Sequence, residues 1–413
     1  MNLRRGLLLP VALAAVALAG CGTSSRPVGR IRGTTLSVYF SGPLHGASSV
    51  SAQAALNGAQ LALAEAHSRV GKYRIVLRPL DDSTPQSDGW DPSQTTVNAR
   101  MASKDPTTIG YLGEFNSGAS AVSIPLLNRA GIAQISPGST AVGMTSAGTG
   151  AAPGEPQKYY PLGTRTFARV IPNDAIQALA LVHVQQTLGC HSMFVLHDSE
   201  VDGEDTALTY VLTAQSAALR VVGIQAFQRH AADYGSLAAG IAAAGADCLL
   251  ISAIDEQSSV LLTRQLAHLL PDATIFVSNG LADSAYFDPA AGGIPASLDP
   301  RVLVASATLD ASSYPPSGQR FLAQYARAFG PPEPSAIYGY AAMGLMLRAI
   351  SRATDGGHKA AQRSAVIHAI LSTARIGSPL GTYRINSGGD TSINRYGIYR
   401  IVDGKLSFLE AGG

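Results

Sequence analysis

The stretch from Gly113 to Thr140, with the strand that leads into it, constrains this chain most. Thr108-Ile109-Gly110-Tyr111-Leu112 reads as a buried strand, and Gly113 to Ser117 as a turn of small and polar residues leading into a helix. Ala133-Gln134-Ile135 is a second short strand, and Ser136 to Thr140 a second small polar turn. In open parallel sheets ligands sit outside the carboxyl ends of the strands, and a helix beginning there turns unpaired N–H groups toward whatever binds. Two such turns side by side predict a cradle for an anion or a small polar ligand.

The same alternation runs through the rest of the chain. Thr35 to Phe40 and Tyr73 to Leu80 read as strands, with a helical stripe of Ala52, Ala55, Leu56, Ala59, Leu63 and Ala66 between them and a further helix over Pro92 to Ser103. Asp81-Asp82 reads as a solvated turn or a helix cap. Ala141 to Thr164 is rich in Gly and Pro without a period, a long loop of the kind that tends to be functional. After Phe167 the pattern resumes with strands at Ser192 to His197, Val221 to Phe227, Cys248 to Ser252, Thr274 to Ser278 and Arg301 to Ala307, separated by helices. Helices are expected at Gly318 to Phe329, Ser335 to Ala353 and Ser364 to Leu371. Strands follow at Thr382 to Ile385 and Arg395 to Val402, the second alternating as a sheet-edge strand does.

A chain of 413 residues exceeds one average core, so two domains are expected. The fold class is α/β, with two doubly wound parallel-sheet lobes. The chain passes between them near Phe167, near Val304 and between Tyr383 and Arg395, a three-crossover hinge. Residues 34–166 and 305–383 make the first lobe, and 167–304 with 384–413 the second. Thirty basic residues against twenty-eight acidic ones leave no basic excess, so a nucleic-acid partner is not expected.

Met1 to Cys21 has a basic start at Arg4 and Arg5, an apolar run from Leu7 to Leu18, and small residues before Cys21. That is a secretory signal rather than a membrane span. Leu18-Ala19-Gly20-Cys21 resembles a bacterial lipobox, which implies lipidation of Cys21 and an anchor on the outer side of the cell membrane. Residues 22–33 read as a tether. Outside the cytoplasm disulfides are permitted. Cys190 and Cys248 each precede or open a strand, and the two strands are neighbours in a doubly wound sheet. A structural disulfide is therefore favoured over two buried thiols.

Ser117-Gly118-Ala119-Ser120, then Ala130-Gly131-Ile132, then Ile135-Ser136-Pro137-Gly138-Ser139-Thr140 resemble the leucine/isoleucine/valine-binding proteins. These are amino-acid receptors of ABC importers with a type I periplasmic-binding-protein fold, and the likeness runs from Leu36 to Leu406. It implies an ABC permease and its ATPase as partners, no cofactor, and a ligand site at Ser117, Gly118, Ala119, Gly138, Ser139 and Thr140. Ser117 and Thr140 would hold a ligand carboxylate, and Gly138 and Thr140 its amino group. The second lobe departs from the pattern. Asp202 stands where the family has a Tyr, Ile254-Asp255-Glu256 replaces another, and Asn279 replaces the acid that commonly meets the ligand ammonium. Either Asp202 or Asp255 substitutes for that acid, or the ligand is not an α-amino acid.

Other chemistries find little support. Asp198 to Gly203 mimics the start of a calcium loop, but Thr209 falls where a bidentate Glu is required, so no metal site is expected. No Gly-x-Ser-x-Gly, phosphate-loop, dinucleotide or His-Glu-x-x-His motif occurs, and His183, His191 and His197 span a helix end and a strand. The expected function is capture, without catalysis, of a small polar carboxylate-bearing solute by closure of two lobes, with a ligand sensor of the same fold as the alternative.

Overall fold

The computed structural model describes residues 29–413, so Cys21, the signal segment and most of the tether lie outside the described residues. No helix among the described residues is long and apolar enough to cross a membrane. The chain begins with β1 (Thr35–Gly42), α1 (Ser49–Glu65), β2 (Arg69–Val70) and β3 (Tyr73–Asp81). A small hairpin of β4 (Ser83–Thr84) and β5 (Gly89–Trp90) leads to α2 (Pro92–Lys104), β6 (Thr108–Leu112), α3 (Ser117–Arg129), β7 (Ala133–Ser136) and β8 (Phe167–Arg169). Apart from that hairpin the strands form one sheet in the order β2-β3-β1-β6-β7-β8, parallel except at β2–β3. Strands covered on both faces need near-continuous apolar runs, and Leu36, Val38, Phe40, Ile109 and Tyr111 are all buried. Asp91 starts α2 by accepting from the N–H groups of Ser93 and Gln94, with Pro92 in the first turn.

The second lobe repeats the plan with α4 (Asp174–Thr187), β9 (Ser192–His197), α5 (Val201–Ser216), β10 (Arg220–Ala226), α6 (Gly235–Ala243), β11 (Cys248–Ser252), α7 (Glu256–Leu269), β12 (Thr274–Val277), α8 (Ser284–Phe287) and β13 (Val302–Ser306). The chain then returns to the first lobe as α9 (Pro316–Phe329), α10 (Ala336–Thr354), α11 (Arg363–Leu371) and the hairpin β14 (Ile376–Ser378) and β15 (Gly381–Tyr383). It ends in the second sheet as β16 (Tyr396–Val402) and β17 (Lys405–Gly412), giving the order β10-β9-β11-β12-β13-β16-β17.

Three differences from the sequence reading have local causes. Phe167–Arg169 pairs with β7 in the first sheet, so the first passage between lobes falls after Arg169 rather than before Phe167. Val302–Ser306 lies wholly in the second sheet, between β12 and β16, so the second passage follows Ser306. Tyr396–Val402 is an interior strand and not the edge, because β17 pairs along its outer side. The signal for β17 was present. Asp403 and Gly404 both take positive φ (51° and 67°), the two-residue hairpin turn that an Asp-Gly pair favours.

In the first lobe α10 lies directly on α1 at two glycines. A Cβ on Gly339 would sit 1.8 Å from the carbonyl oxygen of Ala55, and one on Gly58 2.1 Å from that of Ala336. In the second lobe Cys190 and Cys248 are disulfide-bonded, with Cα atoms 5.8 Å apart at the amino ends of the neighbouring strands β9 and β11.

Candidate functional site

Each sheet reverses its winding once. In the first, the chain steps from β1 to β3 on one side and then to β6 on the other. The loops after β1 and β6 therefore flank a crevice at the carboxyl edge. In the second sheet β9 and β11 do the same. The two crevices face each other, and a cavity of about 40 Å³ lies between them, bordered by Ser48, Asn116 and Gly138 of the first lobe and Asp202, Ile254 and Asn279 of the second. Tyr338 at the start of α10 closes one side, its hydroxyl donating to the Ala307 carbonyl at 2.6 Å. That volume admits a few water-sized groups, so the lobes are shut.

Hydrogen bonds across the cleft hold them shut. The Ser48 N–H donates to Glu256 (3.0 Å) and the Ser51 hydroxyl to Asp283 (3.0 Å). The Trp90 indole donates to Glu200 (3.1 Å), whose other oxygen takes Arg229, and Arg229 also reaches the Ser87 carbonyl. At the centre Ser117 Oγ and Thr140 Oγ1 both donate to Asp202 Oδ1, at 2.9 and 3.1 Å. The Thr140 and Ala141 N–H groups point at Ser117 Oγ, and the Val142 N–H donates to Asp205 (3.0 Å). Asp202 stands in the first turn of α5 and Asp205 just beyond it, so one helix start of the second lobe plugs the paired turns of the first.

The sequence-derived candidates separate accordingly. Gly138, Asp202 and Asn279 border the cavity, while Ser117 and Thr140 stand one layer behind Asp202. Gly118 and Ala119 do not border it. Gly118 is the floor on which Trp90 rests, 2.4 Å from an added Cβ, and Ala119 is in the core. Ser139 is buried between the Ser120 hydroxyl and the carbonyls of Glu114 and Phe115. Asp255, expected as a ligand acid, instead accepts from Ser258 N–H and Oγ as the cap of α7 and faces Arg229. Its position immediately before a helix is what a capping carboxylate needs, and that use turns it from the cleft. Asn279 accepts from the Ala307 N–H through Oδ1 (2.8 Å), which fixes it at the second passage between lobes. Asp198 spends its oxygens on the N–H groups of Glu200 and Ile254, joining the loops after β9 and β11. The described residues contain no cluster of His, Cys, Asp and Glu able to hold a metal. Ser48 and Asn116 were not foreseen. Their signal was the position just past a strand and just before a helix.

Asp81 is the turn residue expected, accepting from Leu44 and Ser83. Asp82 is not. It is fully buried against Glu114, and neither of its oxygens has a donor. Two carboxyls so placed are satisfied only by a proton between them. Burial pushes Glu114 up to about 7, and burial followed by the Glu114 charge pushes Asp82 well above the usual range. In the second lobe burial raises Asp198 and Asp205 to about 7 and Asp283 to about 6. Groups raised in the folded state stabilise it fully below their unfolded values, about 4, and that contribution is lost as pH rises through the folded values. Thermal unfolding should therefore show a higher midpoint at pH 5 than at pH 8, with a loss of order 2 kcal/mol or more across the interval. Glu114→Gln should recover part of it at pH 8, and a midpoint that rises toward pH 8 in both proteins would contradict the assignment.

Comparison with known proteins adds the following. Residues 36–405 match a family model described as periplasmic binding protein. A leucine-binding protein from Thermotoga maritima is similar in structure, with 18% identity, 91% of this chain and 98% of that one covered, and a TM-score of 0.74. So is an ABC-transporter solute-binding protein from R. palustris in complex with benzoate (18% identity, 91% and 96% covered, TM-score 0.74). A branched-chain amino acid transporter substrate-binding protein from Streptococcus pneumoniae in complex with isoleucine gives 16%, 92%, 99% and 0.74. Comparison with curated protein sequences returns no match. These likenesses agree with the expected fold, two parallel-sheet lobes of the type I class, and the relatives are binding proteins rather than enzymes.

Proposed function

Because the chain belongs to the periplasmic binding protein family, we propose that it is the extracytoplasmic solute-binding component of an ABC importer, handing a small polar solute to a permease and its ATPase. Its mechanism is closure. Ser117, Gly138 and Thr140 present the first lobe's turns, α5 and Asn279 present the second lobe's, and the solute is held where the two crevices meet. The observation that carries this reading is the cavity at the opposed switch points, shut by hydrogen bonds from both lobes. The lipobox-like Leu18-Ala19-Gly20-Cys21 supports an anchor on Cys21, with residues 22–33 as the tether.

Thermal unfolding against amino acids, amides, amines, aromatic and aliphatic acids and sugars tests the binding. A solute at about a thousand times its dissociation constant adds roughly 4 kcal/mol to the closed state. At least one class should raise the midpoint, and Asn279→Ala should weaken that response. A protein indifferent to every class would sink the reading. The carboxylate-bearing solute expected from the sequence meets a particular obstacle, because the turns assigned to it already hold the carboxylate of Asp202.

A further inference from the structure

We infer, building on the solute-binding reading above, that the solute is a small organic ammonium compound without a free carboxylate, and that Asp202 both excludes the carboxylate and receives the ammonium.

Two hydroxyls converge on Asp202 Oδ1, those of Ser117 and Thr140. A carboxylate arriving with a solute would have to displace Asp202 from these donors and remain beside it, two like charges in a closed space that repel strongly. The second oxygen, Oδ2, receives no hydrogen bond from any described residue, and Asp202 borders the cavity. That leaves a carboxyl oxygen free at the cavity, and an ammonium beside it would favour its ionised form against the burial that opposes it.

An independent group asks for the same partner. Asn116 is 4% exposed and borders the cavity, and its Oδ1 is buried without a donor. Its orientation is set by its neighbours. Ser48 Oγ donates to the Ile254 carbonyl, so it accepts from Asn116 Nδ2 at 3.2 Å, which leaves the amide oxygen as the free atom. A buried acceptor left unpaired costs about 1–3 kcal/mol, which a solute N–H would relieve.

The electrostatics of the cleft point the same way. No Lys, Arg or His borders the cavity. Arg169, which holds the Thr140 turn, is committed to Asp390, and Arg229, at the cleft, to Glu200 and Asp255. Glu256 and Asp283 stand behind Ser48 and Ser51, and Asp174 and Asp205 behind Asp202, so acids surround the space on the second-lobe side. Phe115, Pro137, Ile171 and Ile254 supply apolar wall for a hydrocarbon portion. An ammonium on a short hydrocarbon meets every one of these features, whereas a carboxylate on the same hydrocarbon meets only the apolar wall.

The test is calorimetric titration of the purified protein with compounds matched on one skeleton at a time. The set is 3-methylbutylammonium, leucine, leucinamide and 4-methylpentanoate, repeated with methyl, propyl and phenyl side groups. The protein should bind ammonium compounds at least tenfold more tightly than the matched amino acid and acid. Asp202→Asn keeps an oxygen for Ser117 and Thr140 but turns an N–H toward the solute, and should lose ammonium binding at least tenfold. Asp202→Ala vacates the donors and should gain the acids. Tighter binding of leucine or 4-methylpentanoate than of the amine by the unaltered protein overturns the inference and leaves solute binding standing. Equal binding of the amine by Asp202→Asn overturns the role of Asp202. Silence of all three proteins toward this panel overturns the inference, and the solute-binding reading falls with it only if the wider set of solutes above is silent too.

Discussion

Replacing Arg169 with methionine should destabilise the protein by about 3–5 kcal/mol, read as a shift of the urea unfolding midpoint without a change of slope. Arg169 is completely buried at the end of β8. Its Nε binds Asp390 at 2.7 Å, its Nη1 donates to the carbonyls of Ala141 (2.7 Å) and Ser139 (3.3 Å), and its Nη2 donates to the Thr145 hydroxyl. Asp390 lies on the third passage between lobes, and the Gly389 carbonyl accepts from the Arg169 N–H. One side chain thus joins the end of the first sheet, the returning hinge strand and the loop carrying Thr140. Methionine fills much of the volume but leaves Asp390 without its counter-charge, held only by the Thr145 hydroxyl, and strips the Ser139 and Ala141 carbonyls of their donor. Lysine should fail as well, since it lacks the planar fork that reaches partners in several directions. Solute affinity should fall too, because the Thr140 turn is hung from this guanidinium. A methionine variant within roughly 0.5 kcal/mol of the parent would show the network to be dispensable.

The second large effect concerns Gly339. A side chain there drives into backbone, the Ala55 carbonyl at 1.8 Å from the added Cβ, and backbone has no rotamer by which to withdraw. Overpacking that flexible neighbours absorb costs 1–3 kcal/mol, so Gly339→Val should cost about 3 kcal/mol or more, and Gly339→Ala somewhat less. Relief requires α10 to slide off α1. Tyr338, adjacent in sequence, then leaves the Ala307 carbonyl and the cavity wall with it. The alanine variant should accordingly lose solute affinity as well as stability, and a stable variant with weakened binding would isolate the second effect. Full stability and full affinity together would mean that the two helices separate at no cost.

Much of the architecture was legible because both sheets advertise themselves through short apolar runs alternating with helical stripes, a pattern only parallel crossovers accommodate. Legibility fell where a residue's role depends on the opposite lobe. Asp202 reads locally as an acid in the first turn of a helix, a favourable place for one beside the helix dipole. Nothing in its own segment says that Ser117 and Thr140, far back in the chain, donate to it. Asp255 erred in the opposite direction, because a local cap sufficed to account for it. Asp82 misled because a pair of aspartates after a strand is ordinarily solvated, and only the fold brings Glu114 against the second of them.

The order in which the chain visits its lobes bears on how it can be assembled. The first lobe begins at β1 but lacks α10, the partner of α1, until residues 336–354 are available. The second sheet begins at β9 and is not complete until β17, which ends at Gly412. Neither half can close its core before residues 336–412 are available. Both lobes therefore depend on late segments, and each core is completed by chain that has already visited the other lobe, so the two folding units are interlocked and not sequential.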